Sequence, residues 1–90
     1  MHWASVNEDG GLKWATAFVR RGEGQPDHSH PEFQILVLEH GRLRVWAPSL
    51  LPHECVAPTR LFFLPGEVHG WEALEPSLVF SLWQKSPVAA

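Results

Sequence analysis

The stretch His28-Ser29-His30-Pro31-Glu32-Phe33-Gln34-Ile35-Leu36-Val37-Leu38-Glu39-His40-Gly41 decides how the rest of the chain is read. It sets His28, His30, Glu32 and Gln34 at alternate positions and runs straight into Ile-Leu-Val-Leu. Residues two apart in a β-strand share a face, so a strand here brings four polar side chains to one side. Two imidazoles and an amide oxygen on one wall are donors that a divalent metal accepts. His69, in Pro65-Gly66-Glu67-Val68-His69, is the available third imidazole. Beyond Gln34 both parities are apolar, with Leu36 and Leu38 on the pocket side and Ile35 and Val37 on the other. Such a strand is buried on both faces. One face lines an interior and the other needs a second sheet or a second subunit, so a homodimer is expected.

Working outward, turn signals recur about every ten residues. A short strand over residues 3–6 leads to the Glu8-Asp9-Gly10-Gly11 turn. Residues 12–21 follow, with Trp14, Thr16 and Phe18 opposite Lys13, Ala15, Ala17 and Val19; β-branched and aromatic content favours a strand, while Ala15 and Ala17 leave a helix open. Gly22-Glu23-Gly24-Gln25-Pro26-Asp27 reads as a loop. Residues 28–39 form the long apolar strand, His40-Gly41 a turn, and residues 42–47 the return strand of a hairpin. Three prolines between residues 48 and 58 argue for a loop, with at most a short edge strand over residues 54–56. Strands are expected over residues 60–64, 68–74 and 78–84, and residues 86–90 read as a loose tail. Seven or eight short strands without a helix are the pattern of a β-sandwich or barrel.

Composition narrows the function classes. Ninety residues with 44% hydrophobic and 19% charged content make one domain, 1–90, whose core is barely sufficient. The net charge is −3 and basic residues are scattered, so no direct nucleic-acid partner is expected. A single cysteine, Cys55, forms no internal disulfide and implies no oxidising compartment. The first residues lack the basic and apolar regions of a signal peptide, and no apolar run is long enough to cross a bilayer. A soluble cytoplasmic protein without a membrane partner is the expectation.

The residues then meet a known pattern. Gly22, five residues, His28-Ser29-His30, three residues, Gln34, six residues and Gly41 reproduce the spacing of the first motif of the cupin superfamily. Gln34 stands where that motif usually has glutamate. Pro65, Gly66 and His69 match the heart of the second motif, whereas Thr59 and Arg60 replace its usual Gly-Asp and Ala73 its asparagine. Over about residues 12–84 the chain resembles small single-domain cupins of the cupin_2 type. The resemblance implies an all-β double-stranded β-helix, a jelly-roll barrel of RmlC-like type. The segments His30–Leu38 and Phe62–Trp71 also look like the sensor domains of AraC-type regulators, which are cupins that bind small effectors, often without metal.

For the site, the resemblance implies metal ligation by His28, His30, Gln34 and His69. Six histidines in ninety residues make a chance His-x-His pair common, so register with Gln34 and His69 carries the weight. A neutral Gln34 leaves the double charge of an ion intact, which should weaken Mn²⁺ and favour Zn²⁺, Ni²⁺, Cu²⁺ or Fe²⁺. Gln34 could equally hydrogen-bond an organic ligand. Three imidazole nitrogens sharing an ion should lie about 3 Å apart, whereas separations much beyond about 4.5 Å favour an effector pocket. Glu32 shares the parity of the histidines and is a candidate acid/base, although a charge at a strand mouth is usually solvated. Trp71, two residues from His69, should line the same ligand pocket. His2, His40 and His53 read as surface residues and Cys55 as inert. Three function classes stay open: a metal-binding cupin, a metal-free effector module, and a metal-dependent dioxygenase or isomerase acting on a small molecule.

Overall fold

The structure is a computed structural model that describes residues 1–48 and 50–85; the expected loose tail lies outside the described residues. Among the described residues nine strands follow in order: β1 (Trp3–Asp9), β2 (Leu12–Val19), β3 (Gly24–His28), β4 (Glu32–His40), β5 (Arg42–Ala47), β6 (Leu50–Val56), β7 (Thr59–Phe63), β8 (His69–Ala73) and β9 (Ser77–Lys85). They form two antiparallel sheets, one ordered β1-β2-β9-β4-β7 and the other β3-β8-β5-β6. Two facing sheets, with no helix among the described residues, are the jelly-roll arrangement that the alternation of short strands implied.

The period-two pattern explains what lies between the sheets. Ala15, Ala17 and Val19 of β2, Leu36 and Leu38 of β4, and Val79 and Trp83 of β9 are buried. They face Leu43 and Val45 of β5 and Trp71 and Ala73 of β8, also buried. At about 25 cal/mol per Å² these side chains supply most of the hydrophobic stabilisation of so short a chain. β9 and β4 are central strands, paired along their whole lengths in the register Leu36↔Ser81 and Gln34↔Trp83.

Four local expectations are corrected. The Gly-Pro-rich segment before His28 is not all loop, because residues 24–28 pair with β8 as an edge strand. Pro26 is tolerated there since an edge strand leaves one side unpaired. The stretch beginning at His28 is two elements: His28 ends β3 in one sheet and β4 begins at Glu32 in the other. β5 is no hairpin partner of β4, since β4 pairs with β7 and β9 while β5 pairs with β6 and β8. The chain switches sheets at Gly41, whose φ of 101° suits glycine and where a Cβ would run into Ser77 Oγ and the Pro76 carbonyl. Finally, β6 is longer than the expected residues 54–56, with Pro52 accommodated because the strand pairs only with β5.

Candidate metal centre

Three segments deliver the histidines. His28 and His69 are directly opposed in the β3–β8 ladder, which sets their rings 4.4 Å apart. His30 lies in the crossover between β3 and β4, where its carbonyl accepts a 2.8 Å hydrogen bond from Gly66 N–H of the β7–β8 turn. That bond ties the two motifs together and leaves the His30 and His69 rings 4.9 Å apart. Convergence therefore comes from sheet pairing and one loop–loop bond, not from alternation along one strand. His2, His40 and His53 are exposed, as expected of surface residues.

Each imidazole is oriented by a backbone carbonyl two residues away. His28 Nδ1 bonds the Pro26 carbonyl at 2.8 Å, His30 Nδ1 that of Glu32 at 2.9 Å, and His69 Nδ1 that of Glu67 at 2.9 Å. A carbonyl only accepts, so each Nδ1 carries a proton, and Nε2 is the atom His30 and His69 turn toward Gln34. Gln34 is fully buried, and its Oε1 lies 3.0 Å from both His30 Nε2 and His69 Nε2. Its Nε2 donates to Ser81 Oγ at 2.8 Å, which turns the amide oxygen toward the histidines. Two ring nitrogens and one amide oxygen thus converge at 3.0 Å. Imidazole nitrogens and an amide oxygen at that spacing are a donor set that fits a divalent ion.

The ligand nitrogens of His28, His30 and His69 all lie within 4.8 Å of one another. That upper bound exceeds the roughly 3–3.5 Å between nitrogens bound to one ion at about 2.1 Å, so the rings would draw in slightly around it. His69 is fully buried, and its ring stacks on Phe63 at 4.1 Å with an interplanar angle of 4°. Burial pushes its pKa below the usual histidine value, assisted by the neighbouring His28 and His30 and opposed by the bond to the Glu67 carbonyl. The neutral form is the one that can ligate.

A cavity of about 250 Å³ opens beside the cluster, with His28, His30 and Glu32 on one side and Trp3, Val6, Lys13, Ala15, Gln25 and Trp83 around the rest. Trp71 does not line it. That residue is 1% exposed in the core behind Trp3, at 6.4 Å between ring centroids, and its indole N–H has no partner among the described residues. Trp3 and Trp83, edge-to-face at 5.0 Å, provide the aromatic wall instead. At Gly70 any Cβ would meet the Trp46 indole, so glycine there lets that ring pack directly on β8 next to His69. Cys55 is buried and free, and desolvation raises its thiol pKa.

Sequence reasoning missed Ser81, Phe63 and Lys13. Ser81 had a legible signal, being the one hydroxyl on the buried parity of β9 between Val79 and Trp83. Phe63 and Lys13 depend on register across strands, for which the sequence carries no local mark.

No protein-family profile matches the chain, and no curated protein does. Solved structures match it closely in shape. A cupin superfamily protein from Desulfitobacterium hafniense superposes with a TM-score of 0.82 at 8% identity, over 96% of this chain and 83% of that one. KdgF from Halomonas sp. gives 0.80 at 20% identity, over 97% and 90%. The DMSP lyase DddQ from Ruegeria pomeroyi gives 0.74 at 20% identity, covering 89% of this chain, which spans only 41% of that enzyme. The fold is that of the cupins. No helix among the described residues is long and apolar enough to cross a membrane.

Proposed function

With the cupin fold as premise, we propose that this chain is a small metal-binding cupin. A divalent transition ion is held by Nε2 of His28, His30 and His69 and by Oε1 of Gln34. The observation that carries the reading is convergence: the three histidines offer ligand nitrogens within 4.8 Å of one another, and the buried Gln34 amide, whose nitrogen donates to Ser81, holds its oxygen 3.0 Å from two of them. When bound, such an ion supplies a Lewis acid beside the cavity. Glu32, at the cavity wall, is the residue placed to accept a proton from a small molecule held there. Among the structural neighbours, the protein described as a DMSP lyase is an enzyme, which supports a small-molecule ligand without naming a reaction.

Equilibrium dialysis against Zn²⁺, Ni²⁺ and Mn²⁺ with elemental analysis tests the reading. One ion per chain is expected, with Zn²⁺ and Ni²⁺ held more tightly than Mn²⁺. His69→Ala should lower Zn²⁺ affinity by more than about a hundredfold, exceeding what loss of an outer partner costs. Bound Zn²⁺ should also raise the melting temperature. Stoichiometric binding unaffected by His69→Ala would reject the site, and absence of binding would favour the metal-free effector module.

A homodimer completes the reading. The outward face of the five-stranded sheet carries an apolar cross-strand row, Trp14–Leu82–Ile35–Phe62, beside Phe80, Val37 and Phe33. Five strands about 4.8 Å apart present roughly 500–600 Å² in projection, near what each partner of a standard interface buries. A second copy offers the same uncharged centre, and the exposed Glu39 and Arg60 at one end supply opposite charges across a two-fold axis.

A further inference from the structure

We propose that the cavity beside the histidine cluster takes a small dicarboxylate, one carboxylate at the ion and the other at the Lys13 ammonium. The proposal rests on the metal reading above and adds the ligand class. Lys13 is on the inward parity of β2, and the ladders place Lys13, Trp83 and Gln34 in one cross-strand row. At about 4.8 Å per strand, Lys13 therefore starts roughly 10 Å from Gln34, with the Trp83 ring between them. Its Nζ lies 5.0 Å from the centroid of that ring, a cation–π contact that holds the ammonium over the cavity. No carboxylate among the described residues forms an ion pair with Lys13.

Charge balance selects the class. Three neutral imidazoles and a neutral amide leave a bound M²⁺ with both its charges. Of the charged side chains that line the cavity, Lys13 contributes one positive charge and Glu32, on the histidine side, one negative. The site with its ion therefore carries about two positive charges, which a dianion neutralises. Its two positive ends lie at opposite sides of an aromatic floor, where a methylene chain packs against Trp3 and Trp83. Glutarate, a five-carbon diacid, is a probe of that class.

The experiment titrates Zn²⁺-loaded protein with glutarate and, separately, with butyrate. Trp3 and Trp83 fluorescence is followed, with calorimetry in parallel and Zn²⁺ occupancy measured in every sample. Glutarate should quench the fluorescence and bind about tenfold or more tightly than butyrate. At equal Zn²⁺ occupancy, Lys13→Gln should erase that preference while leaving the weaker monoacid binding in place. Glutarate and butyrate binding alike to wild type, or a preference that survives Lys13→Gln, overturns the ligand assignment alone. Failure to load Zn²⁺ in the dialysis overturns the metal reading and this proposal with it.

Discussion

On the inner face of the five-stranded sheet, Gln34 and Ser81 are fully buried and bonded to each other, whereas on its outer face Phe18 and Phe62 are 69% and 56% exposed. The same three central strands build both surfaces. Inside, every apolar side chain is covered by the second sheet, and the polar groups that remain converge on three histidines. Outside, Trp14, Ile35, Val37 and Phe80 make an apolar surface with no covering layer among the described residues. Burying a polar group costs about 1–3 kcal/mol unless it is bonded, so Gln34 on the inside points to a site. Apolar area left in water is unfavourable in the other direction, so the outside is the face the proposed dimer would cover.

Adjacent residues of β4 break the comparison most directly. Leu36→Ala, inside, should destabilise the protein by about 2–5 kcal/mol in urea unfolding at any protein concentration. Ile35→Ala, outside, should cost less, and its cost should grow with protein concentration as the dimer forms. Equal, concentration-independent losses would mean that the two faces are alike. Next in size, Phe62→Lys should shift sedimentation from dimer to monomer, weakening association by about 2 kcal/mol or more, while leaving Zn²⁺ binding in place. A dimer that persists in this variant would free the outer face of its assigned role.

Smaller effects sharpen the inner face. Ser81→Ala removes the group that aims the Gln34 amide and should weaken Zn²⁺ binding by about tenfold in competition titration. Without metal, His69 sets a pH dependence. Its folded pKa lies below the ordinary 6.5 because it is buried, so below about 6.5 the unfolded chain binds a proton that the folded chain refuses. Stability should therefore be fully present above about 6.5 and decline as pH falls through the window beneath it. Melting curves of metal-free wild type should show this slope, and His69→Asn should flatten it.

The fold was legible because turn residues and period-two alternation are local. Gly41, Pro65-Gly66 and the parity of residues 78–84 each report their own surroundings. The site was legible as a set of residues but not as a geometry. His28 and Gln34 look like neighbours on one strand, yet they belong to different sheets, and only the β3–β8 pairing and the Gly66–His30 bond bring them together. Trp71 seemed a pocket wall because it shares a face with His69, but that face continues into the core, where Trp3 stands between it and the cavity. The hairpin expected after His40 failed for the same reason: a turn fixes where the chain reverses, not which sheet it enters.

The opposed pair His28 and His69 has one more consequence. They are separated by roughly forty residues of chain, and an ion joining them would close that whole loop. Loop-entropy estimates made for disulfides assign such a closure about 3–4 kcal/mol, acting on the unfolded chain. With a single buried cysteine, this protein has no sulfur cross-link of its own to make. The ion would be its removable staple, and a chelator would act on it as a reductant acts on a disulfide-bonded domain.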